Sequence, residues 1–297
     1  MRADYHLHPN LHPKRPEKRL AKLWKAIERH QLDAVVCAEH AFKDAPEAYR
    51  RFAASKPKHL HCHVFPGAEL VTRDGNAGVD VIAFAEQDWY DEHPRLLEPF
   101  TMTLREMIGY LEASNLQWFI PHPVVITSPL KALYPVQEEM QEFLAGVPAF
   151  EARNGCFVLT EHLCTFPVLR PCLRNFRNRL RESAEPVLQR YARETHQFLA
   201  VGSDAHHPRE VGYSVEVPGK AGSRAQAFRL LTTNTDLTTL YLPSFTNPVP
   251  RLLHAAATTF REWRMRKAGM RASEQDWGDV VEVEAVPILG EVTEEVV

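Results

Sequence analysis

Histidines and carboxylates recur at the ends of short apolar runs, and this recurrence restricts the chain more than any other feature. His6-Leu7-His8 follows the first run, and His40 closes Ala34-Val35-Val36-Cys37-Ala38-Glu39. Glu69 closes Val64-Phe65-Pro66-Gly67-Ala68, His122 stands between Pro121 and Pro123, and Gly202-Ser203-Asp204-Ala205-His206 follows the run 198–201. Each run has the length of a buried strand, and α/β barrels collect their chemistry at the C-terminal ends of such strands. Imidazoles and carboxylates converging from several strand ends form the donor set that Zn²⁺, Mn²⁺ or Fe²⁺ selects, and there are more of them than one tetrahedral ion takes. A cluster of two or three divalent ions is expected.

The segments between these runs have helical character. Residues 17–30 carry Leu20, Leu23, Trp24 and Ile27 at helical spacing, and 45–52 forms a helix with Asp44 as its N-cap and Pro46 in its first turn. Arg73-Asp74-Gly75-Asn76, between two apolar runs, predicts a hairpin or sharp reversal into the strand 79–84. Further helices are expected at 104–111, 138–144, 174–196 and 225–231, with strands at 118–120, near 149–153 and at 237–242. Repeated strand-helix-strand units imply a parallel sheet that can close into a barrel. Residues 248–266 read as a helix with a basic end. From Ser273 onward the chain is acidic without Lys or Arg, the composition of a flexible tail.

Composition narrows the classes. With 297 residues, 44% hydrophobic and 25% charged, the chain can bury one large core, and a net charge of −3 gives no general attraction to nucleic acid. The 5 cysteines are odd in number and make no CxxC pair, which fits reduced thiols and a cytoplasmic setting. Neither a leader-like start nor an apolar run long enough to span a bilayer is seen.

Spacing sharpens the donor set. His6 and His8 at i and i+2 share one face of a strand while Leu7 points into packing, and Asp204 and His206 repeat the arrangement. Small neighbours Gly202, Ser203 and Ala205 leave room for ions. His59, His61 and His63 precede Glu69 by too much to share its strand end and are read as surface or structural. Phosphate recognition calls for cations outside the ligand shell, for which Lys14, Arg15, Arg153 and Arg209 are the candidates. His207 is a candidate acid for a leaving oxygen.

In order along the chain, His6-x-His8, the strand ending at His40, Pro66-Gly67-Ala68-Glu69, His122-Pro123, Glu151-Ala152-Arg153-Asn154-Gly155 and Gly202-Ser203-Asp204-Ala205-His206 resemble the motifs of the PHP (polymerase and histidinol phosphatase) metallo-phosphoesterases. The match spans about residues 3–212. The resemblance implies an α/β fold, a distorted (β/α)7 TIM-like barrel over 1–245, followed here by a C-terminal helix at 246–272 and the tail at 273–297. It implies that His6, His8, Glu69 and Asp204 bind one ion, with Glu69 bridging to a second held by His122. A third ion takes His40, His206 and a residue in the loop after His8. Departures from the family pattern put His12 in that loop at slightly short spacing, Asp80 where many members have histidine, and Glu39 where Asp precedes the strand-end histidine. Glu151 and Asn154 match a signature outside the metal shell.

The expected activity is metal-dependent hydrolysis of a small phosphorylated metabolite by a metal-activated hydroxide. A nuclease or nucleotide phosphodiesterase is the alternative enzyme, drawing on the basic stretches 170–193 and 261–271. A non-catalytic metal-binding scaffold is the other alternative. No membrane partner is expected.

Overall fold

The structure is a computed structural model that describes residues 1–11, 15–74, 78–123, 130–134, 137–155, 197–235, 240–241, 260 and 264–269. Its main sheet contains β1 (Arg2–Leu7), β2 (Ala34–His40), β3 (His63–Val71), β4 (Asp80–Phe84), β5 (Gln117–Phe119), β8 (Ser214–Glu216) and β9 (Leu240–Tyr241), in the order β5-β4-β3-β2-β1-β8-β9. A separate two-stranded sheet pairs β6 (Ala149–Asn154) with β7 (Phe198–Gly202). The helices that accompany these strands among the described residues are α1 (Pro16–Arg29), α2 (Ala45–Ala54), α3 (Leu104–Glu112), α4 (Leu130–Leu133), α5 (Gln137–Gly146) and α6 (Arg224–Thr232), with a further helical segment at 264–269.

The expected (β/α)7 barrel does not form. Among the described strand pairs, β1/β2, β2/β3 and β6/β7 are parallel, while β3/β4, β4/β5, β1/β8 and β8/β9 are antiparallel. The result is a mixed, curled sheet with a separate pair, not a closed ring of parallel strands. Connection length explains the first departure, at β3/β4. A parallel neighbour needs a crossover of about a dozen residues or more, whereas a short connection turns the chain back alongside itself. Val71 is paired with Asp80, and the Thr72 amide donates to the Val79 carbonyl at 2.9 Å, so β3 reverses directly into β4. The Asp74-Gly75 signal predicts this reversal, and a reversal is incompatible with an all-parallel sheet. The β6/β7 pair meets the larger sheet through isolated bridges, Ile120 to Phe150 and Leu7 to Ala205.

Alternation along the strands separates two kinds of packing. Ala34, Val36 and Ala38 of β2, Phe65 of β3, and Ile82 and Phe84 of β4 join Tyr5, Phe119 and Phe198 in one buried cluster. The same period-two face of these strands ends in His40, Glu69 and Asp80, so apolar packing gives way to donors along each strand. Val35, Cys37 and Val64 face the other way, against Leu20, Leu23 and Ile27 of α1 and Phe52 of α2. Asp44 caps α2 by accepting from the Glu47 amide at 3.1 Å, as its position before Ala45-Pro46 predicts. Cys37 and Cys62 are buried free thiols. No helix among the described residues is long and apolar enough to cross a membrane. The expected helix at 174–196, the acidic tail and most of 246–272 lie outside the described residues.

Candidate metal centre

β1 departs from regular pairing at the point where its histidines begin. Asp4 and Leu7 are partnered by Val35 and Cys37, so β1 contains one more residue than β2 over this stretch. A bulge of this kind changes which face a side chain takes. Tyr5 packs in the inner cluster, Leu7 packs against the helices, and His6 and His8 come together with ring centroids 4.9 Å apart.

Donors from other strands meet this pair. His6 Nε2 and His8 Nε2 are 2.9 Å apart, and Asp204 Oδ1 lies 3.6 and 3.3 Å from them. Glu69 Oε2 lies 3.5 Å from His8 Nε2, 3.8 Å from His6 Nε2 and 2.7 Å from His40 Nδ1. Glu69 Oε1 is 3.2 Å from His122 Nε2, and His40 Nε2 is 3.2 Å from His206 Nε2. Donor atoms fall within 4.8 Å of one another in three groups: His6, His8 and Asp204; His8, His40 and His206; and Glu69, Asp80 and His122.

The donor set fits cations. Glu69 Oε2 is buried and makes no hydrogen bond, although an imidazole nitrogen approaches it at 2.7 Å, so that approach is too oblique to count as one. The facing nitrogens of His6 and His8 cannot satisfy each other and both carboxylates at once. Lone pairs gathered this closely are best neutralised by positive charge at their centre.

Electrostatics keep the acids ready for that role. Burial works against ionised Glu69, but His40 and His122 outweigh it and hold its carboxyl well below the usual range. Asp204 is likewise pulled down against burial, by His6 and His8. Burial, followed by the neighbouring His206 and His40, pushes His8 down and favours its neutral form. His6 and His122 rise despite burial, His6 through Asp204 and Glu151 and His122 through Glu69. Ionised carboxylates and neutral imidazoles are the forms that ligate metal.

A supporting layer fixes these groups. The second register slip lies in β6, where Glu151 and Arg153 are partnered by the consecutive residues Ala200 and Val201. Glu151 and Asn154 consequently meet: Glu151 Oε2 accepts from Asn154 Nδ2 at 2.9 Å and from the His122 amide at 2.8 Å, while its Oε1 is 3.3 Å from His6 Nδ1. Asn154 Nδ2 also donates to Asp204 Oδ2 at 3.3 Å.

Four contributors were missed by the sequence reading. Asp4 Oδ1 accepts from the amides of Ser203 at 2.9 Å and His6 at 3.1 Å, and burial raises its carboxyl to about 7. Glu210 accepts from the His206 amide at 2.8 Å, and Arg19 donates to the His206 carbonyl. Arg266 grips Asp80, with Nη2 to Oδ1 at 2.7 Å. A charged residue inside a buried strand is the signal that could have found Asp4. Of the other expected site residues, Arg153 is half-buried on β6, Arg15 and Arg209 are exposed, and half-buried His207 accepts from the Arg209 amide at 3.2 Å. His12 and Lys14 lie outside the described residues.

The crystal structure of PsfC from Pseudomonas syringae PB-5123 matches with a TM-score of 0.50 at 19% identity, covering 87% of this chain and 96% of that one. At this identity the likeness concerns the fold alone. No protein-family model and no curated protein matches the chain.

Proposed function

We propose that this chain is a metal-dependent phosphoesterase acting on a small phosphorylated metabolite. The observation that carries the reading is the convergence of His6, His8, His40, Glu69, His122, Asp204 and His206 in one largely buried cluster that, with Asp80, contains three groups of donor atoms. His6, His8, Glu69 and Asp204 would hold one ion and His40 with His206 another, while Glu69 and His122 face a further position beside Asp80. Divalent ions there supply Lewis acidity toward a phosphoryl oxygen and make water a usable nucleophile near neutral pH. Glu151 orients the His6 ring through Nδ1 and fixes the backbone at His122. The alternative of a nuclease draws on the basic stretches 170–193 and 261–271, the first of which lies wholly outside the described residues.

The test is a panel of phosphorylated metabolites offered to protein reconstituted with Mn²⁺ or Zn²⁺, with His8→Ala and Asp204→Ala as controls. Both substitutions are expected to lower turnover by more than the ~10–100-fold typical of losing an outer partner of a metal site. Circular dichroism should show the fold retained. Full turnover in either variant refutes the assignment, and bound metal without turnover on any phosphoester favours the scaffold reading.

A further inference from the structure

A cation belonging to the chain already sits at the Glu69, Asp80 and His122 group. Arg266, in the helical segment 264–269, donates Nη1 to Asp80 Oδ2 at 3.0 Å and places Nη2 2.7 Å from Asp80 Oδ1. The guanidinium thus makes one charge-assisted hydrogen bond to the carboxylate and a close charge contact with its other oxygen. It is also largely enclosed, with the side chains of Arg266 and Asp80 only 13% and 4% exposed. Asp80 Oδ2 lies 4.0 Å from His122 Nε2, so the guanidinium borders the donor cluster.

The surroundings brace it there. Phe42 stacks on His40 at 4.6 Å and has Arg266 Cζ 5.7 Å from its ring centroid. In the same segment a Cβ placed on Gly269 would come within 2.9 Å of Phe100, so the backbone carrying Arg266 is seated closely against the body of the protein. An ion at this group would need an Asp80 oxygen, yet both already face the guanidinium. It would also meet a fixed positive charge. The other two donor groups do not include Asp80.

We infer that Arg266 is the resident cation of the Glu69, Asp80 and His122 group, so that this group takes no divalent ion while the arginine is in place. The C-terminal segment thereby sets how many ions the chain holds. The inference rests on the metal-dependent reading above.

Full-length parent protein, Arg266→Ala and the double variant Arg266→Ala/Asp80→Asn are stripped with chelator, reloaded with Mn²⁺ and desalted, and bound manganese per chain is counted by elemental analysis. Arg266→Ala is expected to retain one ion more than the parent, and the double variant is expected to lose that gain. Where Arg266→Ala fails to fold, Arg266→Gln keeps a polar side chain without the charge and is expected to show the same added ion. Equal manganese in the parent and the folded Arg266 variant overturns the inference and leaves the phosphoesterase reading standing. A parent chain that retains no manganese, and no zinc when reloaded with Zn²⁺ instead, overturns the metal reading itself, and this inference with it.

Discussion

Gly202 marks a close approach between β7 and β1. A Cβ there would stand 2.2 Å from His6 Cβ and 2.6 Å from Glu151 Oε1, so a methyl group has no room unless the strands part. Gly202→Ala is expected to destabilise the fold by about 1–3 kcal/mol, the usual range for overpacking, and to reduce retained metal by displacing His6. Urea unfolding followed by elemental analysis checks both, and an unchanged midpoint would contradict the close approach. Strain collects at the same place: His122 and Asp204 are non-glycine residues with φ of 33° and 49°. The Glu151 carboxylate holds the His122 amide at 2.8 Å, and the His6 carbonyl accepts from the Asp204 amide at 2.8 Å. Most of the donors were legible because each ends an apolar run. Arg266 was not, because its partner lies 186 residues away and neither position announces the other.

At the level of elements, α3 has the clearest sequence-encoded start. Thr103 Oγ1 accepts from the Glu106 amide at 3.2 Å while Glu106 Oε2 accepts from the Thr103 amide at 2.7 Å, a reciprocal capping box. Thr103→Ala is expected to cost about 1 kcal/mol. The Thr103 amide, the largest influence, holds the Glu106 carboxyl below its ordinary value of 4.5. A depressed carboxylate stabilises the fold above its unfolded pKa, and that contribution fades as pH falls through the folded value. Glu106→Gln should therefore lower the melting temperature at pH 7 and have a smaller effect near pH 3. Equal effects at both pH values would show that charge is irrelevant to the cap. The two register slips were invisible in the sequence. Period-two reading puts Tyr5 and Leu7 on one face, whereas the extra residue in β1 sends them into different clusters. The slip in β6 likewise brings Glu151 and Asn154 together despite their odd spacing.

For the molecule as a whole, ions at the centre would tie β1, β2, β3 and the turn after β7 to one another. Binding to the folded state alone stabilises it by mass action, about 2.7 kcal/mol at a ligand concentration 100 times Kd. Chelation is expected to lower the melting temperature of metal-loaded protein by several degrees, with a smaller shift in His8→Ala. A midpoint indifferent to chelator would count against ions seated there. Legibility failed most clearly at this scale. Strands and helices were largely readable from periodicity, but strand direction depends on how each connection returns, and the reversal after β3 turns an apparent run of βα units into a mixed sheet. The place of β1 also bears on biosynthesis. It lies between β2 and β8, while the turn at 203–205, which completes the donor cluster, is about 200 residues downstream. At ~5–20 residues per second, a ribosome needs roughly 10–40 s to reach that turn. Through that interval the nascent chain presents His-Leu-His without its acidic counterpart Asp204, so any ion at this centre could be seated in full only after about two thirds of the 297 residues have been made.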